Sequence, residues 1–179
     1  MISAEILKPY KKSSDDYQKT EELKKRLRLL KNGRQPFYLT LSEFEEILRW
    51  KLRNQYNRTA SIRTQNNEKI IQEITLLALN IKHDNIEYET KIRFSLLMAI
   101  NGVAVPVASS ILALTYPEKY AVIDFRGWRQ IFGEEKHYFT FSDYEKYLIE
   151  INKLAKELSW LPQEIDLAVW ELDRQTNKK

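Results

Sequence analysis

The sequence predicts an all-α protein, a single domain over residues 1–179 built around a central helix-hairpin-helix. Three observations predict it. Only 4 Gly and 5 Pro punctuate 179 residues, too few for the many turns that short strands need. Apolar residues recur at three- and four-residue spacing through most long segments. Phe94 to Pro117 runs 24 residues without a charge in a chain that is 30% charged, and Asn101-Gly102 and Pro106 divide that run into two short apolar arms.

The first 36 residues read as a helix and a linker. Over Asp15–Lys31, Leu23, Leu27 and Leu30 line one face, and Lys24, Lys25, Arg26 and Arg28 occupy the other. Asn32-Gly33 stops the helix and Gln35-Pro36 follows as a connection. A second helix spans Leu39–Arg53, capped by Thr40 or Ser42, with Phe44, Ile47 and Leu48 inward. A third spans Glu68–Ile81, with Ile70, Ile71, Ile74, Leu77, Ala78 and Ile81 as its apolar stripe.

The uncharged run is long enough to cross a bilayer, but neither half of it is. A helical hairpin in a soluble core fits better. Its first arm is the end of a Glu87–Ile100 helix, and its second is Pro106–Thr115, with Pro106 at the first turn where no N–H is needed. Lys119–Asp124 is extended. Phe125–Phe132 is a short helix that Asp124 is placed to cap and Gly133 to end. Ser142-x-x-Glu145 reads as a capping box opening a long helix with Tyr144, Tyr147, Leu148, Ile151, Leu154, Ala155 and Leu158 inward. Pro162 opens the last helix, with Ile165, Ala168, Val169 and Leu172 inward and Arg174–Lys179 frayed. On the same helix Asp166 and Trp170, four apart, read as a surface or capping group beside a packed ring.

Composition narrows the function classes. No Cys means no disulfide and no thiolate metal site, and it fits a reducing, cytoplasmic setting. Two histidines far apart in sequence, His83 and His137, argue against a catalytic zinc. Met1–Tyr17 lacks the apolar centre of a signal peptide. Charge is unevenly placed: residues 1–70 hold 16 basic and 9 acidic side chains, a net +7, against 13 and 16 over residues 71–179, a net −3. A basic front is the asymmetry expected of a nucleic-acid binder.

Two stretches carry binding chemistry. Arg49–Asn67 holds Arg49, Lys51, Arg53, Arg58 and Arg63 with no acid, interleaved with Trp50, Tyr56 and the amides of Asn54, Gln55, Asn57, Gln65 and Asn66. Cations for phosphates, rings for bases and amides for base edges suit unstacked nucleotides. The alternative is a solvated loop with Trp50 in the core. The second stretch is Gly102-Val103-Ala104-Val105, small residues running into a helix N-terminus. Unpaired N–H groups and the helix dipole favour an anion there, and small side chains let a phosphate approach. The alternative is a tight loop that binds nothing.

The order of residues INGVAVPVASSILALTYPEKYAVIDFRGWRQIF, Ile100–Phe132, resembles the helix-hairpin-helix motif of the DNA glycosylase superfamily. Gly102 and Val103 match the hairpin, Ala108 the helix behind it, and Val122-Ile123-Asp124 the aspartate site. The resemblance covers about residues 92–132. Asn101 stands for the family's Pro, Ala104 for its second Gly, and Pro106 stands where bifunctional members carry a Schiff-base lysine. The resemblance implies a monofunctional N-glycosylase, without lyase activity, acting on a damaged or modified base in double-stranded DNA that is distorted or flipped at the site.

It implies Asp124 as the catalytic carboxylate, needing no metal or cofactor. Gly102, Val103, Ala104, Val105 and Val107 would lie along the DNA backbone with Lys51, Arg53, Arg58 and Arg126, and Trp50 and Tyr56 would stack on bases. Asp124 reads equally as a helix cap alone. Arg126 reads as a phosphate or carboxylate partner in the same cleft or as an ion pair to Asp124, Trp128 as core or as a stacking wall of that cleft, and His137 as a solvated imidazole or a base. Two other function classes fit the same residues: a hairpin module that holds DNA without chemistry, and a protein-interaction domain with a basic surface.

Overall fold

A computed structural model describes residues 2–14 and 16–177, and every regular element among them is helical. Eight helices have eight or more residues, as the apolar spacing predicts. In chain order the helices are α1 (Ala4–Leu7), α2 (Tyr17–Gly33), α3 (Leu41–Leu52), α4 (Ala60–Arg63), α5 (Glu68–Asn80), α6 (Ile86–Leu97), α7 (Val105–Thr115), α8 (Phe125–Phe132), α9 (Phe141–Leu158) and α10 (Pro162–Thr176). Short 3-10 turns cover Lys8–Tyr10 and Arg53–Thr59. No described helix is long and apolar enough to cross a membrane.

Capping explains most boundaries. Thr40 and Glu43 form a reciprocal box that opens α3. Asn67 and Asn85 accept from the third residues of α5 and α6. Asp124 caps α8, and Gly133, at φ 75°, closes it in the left-handed conformation that glycine takes at least cost. The expected box at Ser142 and Glu145 is corrected: Thr140 and Asp143 make it, two residues earlier, with Lys136 bonded to the same aspartate at 2.6 Å. The α5 stripe is also shifted. Ile71, Thr75, Ala78 and Leu79 are buried, whereas Leu77 is exposed. Thr75 takes an inward place because its hydroxyl accepts from Leu39 N–H and donates to the Ile71 carbonyl. The start of the first long helix, expected at Asp15, lies outside the described residues, and so do Lys178 and Lys179 at the frayed end; α10 continues through Arg174 to Thr176.

The chain divides into two units, with boundaries after Lys24, within α2, and after Ile111, within α7. Unit 1 holds residues 1–24 and 112–179, and unit 2 holds 25–111. In unit 1, α10 packs on α8, α9 and α1. Ile165, Ala168, Val169 and Leu172 are buried, as their spacing predicts, and so are Tyr144, Tyr147, Ile151 and Leu154 of α9. In unit 2, α5 packs on α3 and α6. The uncharged run holds the end of α6 and all of α7, two helices as expected, joined by residues 98–104, with the first arm ending at Leu97 and not at Ile100.

Candidate functional site

Unit 2 brings the two predicted binding stretches together. Gly102 sits at φ 84° in the hairpin turn, a conformation that L side chains rarely adopt. Asn66, from the end of the basic segment, binds the turn in both directions. Its amide donates to the Asn101 carbonyl at 2.9 Å and accepts from Asn101 N–H at 3.1 Å. Arg63 lies under the same turn, where a Cβ on Gly102 would meet its Cγ at 3.0 Å. Val103, Val105 and Val107 are buried and Ala104 is exposed. The turn therefore anchors itself with valines, and its Val103 N–H donates to the Ile100 carbonyl at 3.1 Å. Val107 and Ala108 N–H groups both donate to the Ala104 carbonyl.

The basic segment is less open than its sequence implies. Arg63 is 6% exposed and bonded to Glu45 at 2.7 Å, to the Tyr56 carbonyl at 2.7 Å and to Thr59 at 3.2 Å. Glu45, on α3, offsets one of the five charges. The Tyr56 hydroxyl donates to that same carboxylate, and the guanidiniums of Arg63 and Arg49 lie over the Tyr56 ring at 3.9 and 5.1 Å. Tyr56 and Trp50 are both half-buried, as is Lys51. Arg53 and Arg58 are exposed. Arg53 carries φ 48° and ψ −123° at the end of α3, a strained conformation for a residue with a side chain.

Unit 1 holds Asp124. Its carboxylate is half-buried at the N-terminus of α8, and Oδ1 accepts from Gly127 N–H at 2.9 Å. The segment leading to it is fixed by Asp166, whose Oδ2 accepts from Val122 N–H at 2.6 Å. The sequence reading of Asp166 as a surface or capping group is corrected, since it is 6% exposed and ties α10 to the aspartate-bearing strand of chain. It stands about 100° round from Ile165, off the apolar stripe, on a helix buried nearly all round, so helical spacing gave no signal of it.

Arg126 points away from the candidate carboxylate. Among the described residues its ion pair is with Asp173 at 2.9 Å, not with Asp124. Asp173 is fully buried and also accepts from Arg129 at 2.9 and 2.7 Å and from Gln130 at 3.0 Å. Burial pushes its carboxyl up, but the bonds from Arg129, Gln130 and Arg126 outweigh that and hold it below the ordinary value. Trp128 is core, packed on Phe132 and Phe139, with Nε1–H donating to Glu134 at 3.1 Å. The exposed His137 ring lies 5.6 Å from Phe125. Among the described residues no group of three or more His, Asp or Glu is placed to hold a metal.

Chemically, unit 2 offers a backbone turn bonded to Asn66 at the end of the basic segment, with Arg53 and Arg58 exposed earlier in that segment, and unit 1 offers an oriented carboxylate. Comparison of the chain with protein-family models, with curated proteins and with solved structures gave no match.

Proposed function

We propose that the chain binds duplex DNA and acts as a monofunctional N-glycosylase on a damaged or modified base, with Asp124 as its carboxylate. The observation that carries this reading is the Asp124 carboxylate itself, half-buried and oriented by one backbone bond at the start of α8. Breaking an N-glycosidic bond leaves cationic character on the sugar. A fixed carboxylate beside C1′ lowers that barrier and directs a water to it. The base departs with the bonding electrons and takes up a proton, the water oxygen bonds to C1′, and the water's proton passes through the carboxylate to solvent. Phosphates would be held by the Gly102–Val105 backbone and by Arg53 and Arg58. Support for that grip comes from the Asn66–Asn101 bonds, which tie the turn to the end of the basic segment.

Incubation with duplexes carrying deaminated, alkylated and oxidised bases, scored for abasic sites, tests the reading. Release from one of them that is lost in Asp124→Asn is the expected result, and no release from any duplex that the protein binds sinks it. A second reading, a hairpin module that holds DNA without chemistry, is favoured by the same Gly127 bond, because capping α8 is a sufficient structural role for Asp124.

A further inference from the structure

Behind Asp124 lies a buried group that the proposed chemistry does not use. Tyr147, on α9, is 0% exposed, and its hydroxyl meets no hydrogen-bond partner among the described residues. A buried hydroxyl without a partner costs free energy, and Phe would fill the same space without that cost. The hydroxyl oxygen does touch something specific. A Cβ on Gly127 would stand 2.5 Å from Tyr147 Oη, 3.1 Å from Cζ and 3.4 Å from Cε2. The phenol oxygen thus occupies the space that any side chain at 127 would need. Gly127 is the residue whose N–H holds Asp124 Oδ1 at 2.9 Å.

We infer that Tyr147 is a positioning residue for Asp124: its hydroxyl backs Gly127 and so fixes the N–H that aims the carboxylate. The inference rests on the glycosylase reading for its functional meaning. The packing requires a neutral phenol, because a phenolate would repel the carboxylate it serves. Burial first, then the Asp166 and Asp124 carboxylates and Tyr144, hold the Tyr147 phenol protonated well above its ordinary value. Asp166 adds a second support through Val122, two residues before Asp124.

The test is Tyr147→Phe in the full chain, read three ways. Melting stays within about 2 °C of the parent or rises, since no hydrogen bond among the described residues is lost. The Gly127 amide resonance shifts and its hydrogen exchange quickens by about tenfold, because the first turn of α8 loosens. On the lesion duplex from which the parent releases a base, kcat falls by about tenfold while KM holds, the sign of a reacting group slightly out of place.

Gly127→Ala alone is expected to damage all three readouts. Adding Tyr147→Phe recovers part of the loss, since the methyl then meets ring carbons instead of oxygen. An unchanged Gly127 amide in a folded Tyr147→Phe chain overturns the inference. So does a Tyr147→Phe chain that melts far below the parent, because the hydroxyl would then have a structural partner. If the parent releases no base from any duplex, the glycosylase reading fails, while the amide measurement still decides whether Tyr147 holds the Asp124 cap.

Discussion

Unit 2 carries a net charge of +6 over residues 25–111, and unit 1 carries −2 over residues 1–24 and 112–179. The buried charges differ in the same sense. Unit 1 buries Asp143, Asp166, Glu171 and Asp173, whereas unit 2 buries Glu43 and Glu89 with Arg63 and Arg93. The basic unit holds its candidate surface through backbone and amide bonds at Asn66 and Asn101, leaving Arg53 and Arg58 exposed. The acidic unit uses buried carboxylates to fix the segment around Asp124. On the proposed reading, the basic unit would attract a polyanion and the acidic unit would supply the carboxylate.

The sharpest way to break that division is Asp124→Asn. Asn keeps the size and the capping oxygen, so the fold loses at most about 1 kcal/mol. It removes the charge that, on the proposed reading, would face the sugar. Base release is expected to fall by about two or more orders of magnitude, with DNA affinity held or raised. Asp124→Ala removes cap and charge together and should melt lower than Asp124→Asn; equal melting of the two would mean the side chain does not cap in solution. Activity that survives in Asp124→Asn moves the chemistry out of unit 1.

The matching test on unit 2 is Arg53→Ala with Arg58→Ala. Affinity for duplexes of any sequence should fall, and the slope of log affinity against log salt should flatten by about one to two. An unchanged slope would remove the grip from this segment and favour the protein-interaction class.

Sequence periodicity carried the helices well and the polar interior poorly. The α10 face at Ile165, Ala168, Val169 and Leu172 is legible because four apolar positions at helical spacing leave one solution. Asp166 and Asp173, seven apart, lie roughly a quarter-turn round from that face on a helix buried nearly all round, and an apolar template passes over them. Their roles depend on Val122, Arg126 and Arg129, which are more than 40 residues away. The basic segment misled for a related reason. Its lack of acids is a property of the local sequence, while Glu45 reaches Arg63 from the helix before it. Asp124 and the hairpin were legible because turn chemistry and capping are local. The Tyr147 contact was not, because Gly127 gives no signal until the ring behind it is seen.

Acid should separate the units. In unit 1, burial pushes the Asp143, Glu171 and Asp173 carboxyls up, but hydrogen bonds outweigh it, chiefly from Lys136, Arg174 and Arg129, and hold all three below their ordinary values. In unit 2 Glu43 is held low in the same way by Arg34 and Thr40. A carboxyl depressed in the folded state adds stability in full above its unfolded value, 3.8 for Asp and 4.5 for Glu, and loses it as pH falls through the folded value. Amide exchange compared at pH 6 and pH 3 should therefore show residues 112–177 losing more protection than residues 25–111. The reverse order would mean that the unit 2 pairs carry more of the fold than their number implies.

The most local effect expected is at Gly102. Ala there must hold φ 84°, and its methyl must stand 3.0 Å from Arg63 Cγ. A flexible surface arginine would swing aside. Arg63 is buried, lies 3.9 Å over the Tyr56 ring and is bonded to Glu45, Thr59 and the Tyr56 carbonyl, so it yields only by disturbing those partners. Backbone strain of about 1–3 kcal/mol is the range for such a position, and the near-contact places Gly102→Ala inside it. The loss should be local: exchange quickens at Asn101–Val105 and at Asn66 and leaves unit 1 unchanged. DNA affinity should fall with it if the turn backbone meets phosphate. Glu45→Gln provides the control, because it frees Arg63 to move and should reduce the penalty of the added methyl. An additive pair of changes would mean that strain at φ, and not the contact with Arg63, sets the requirement for glycine.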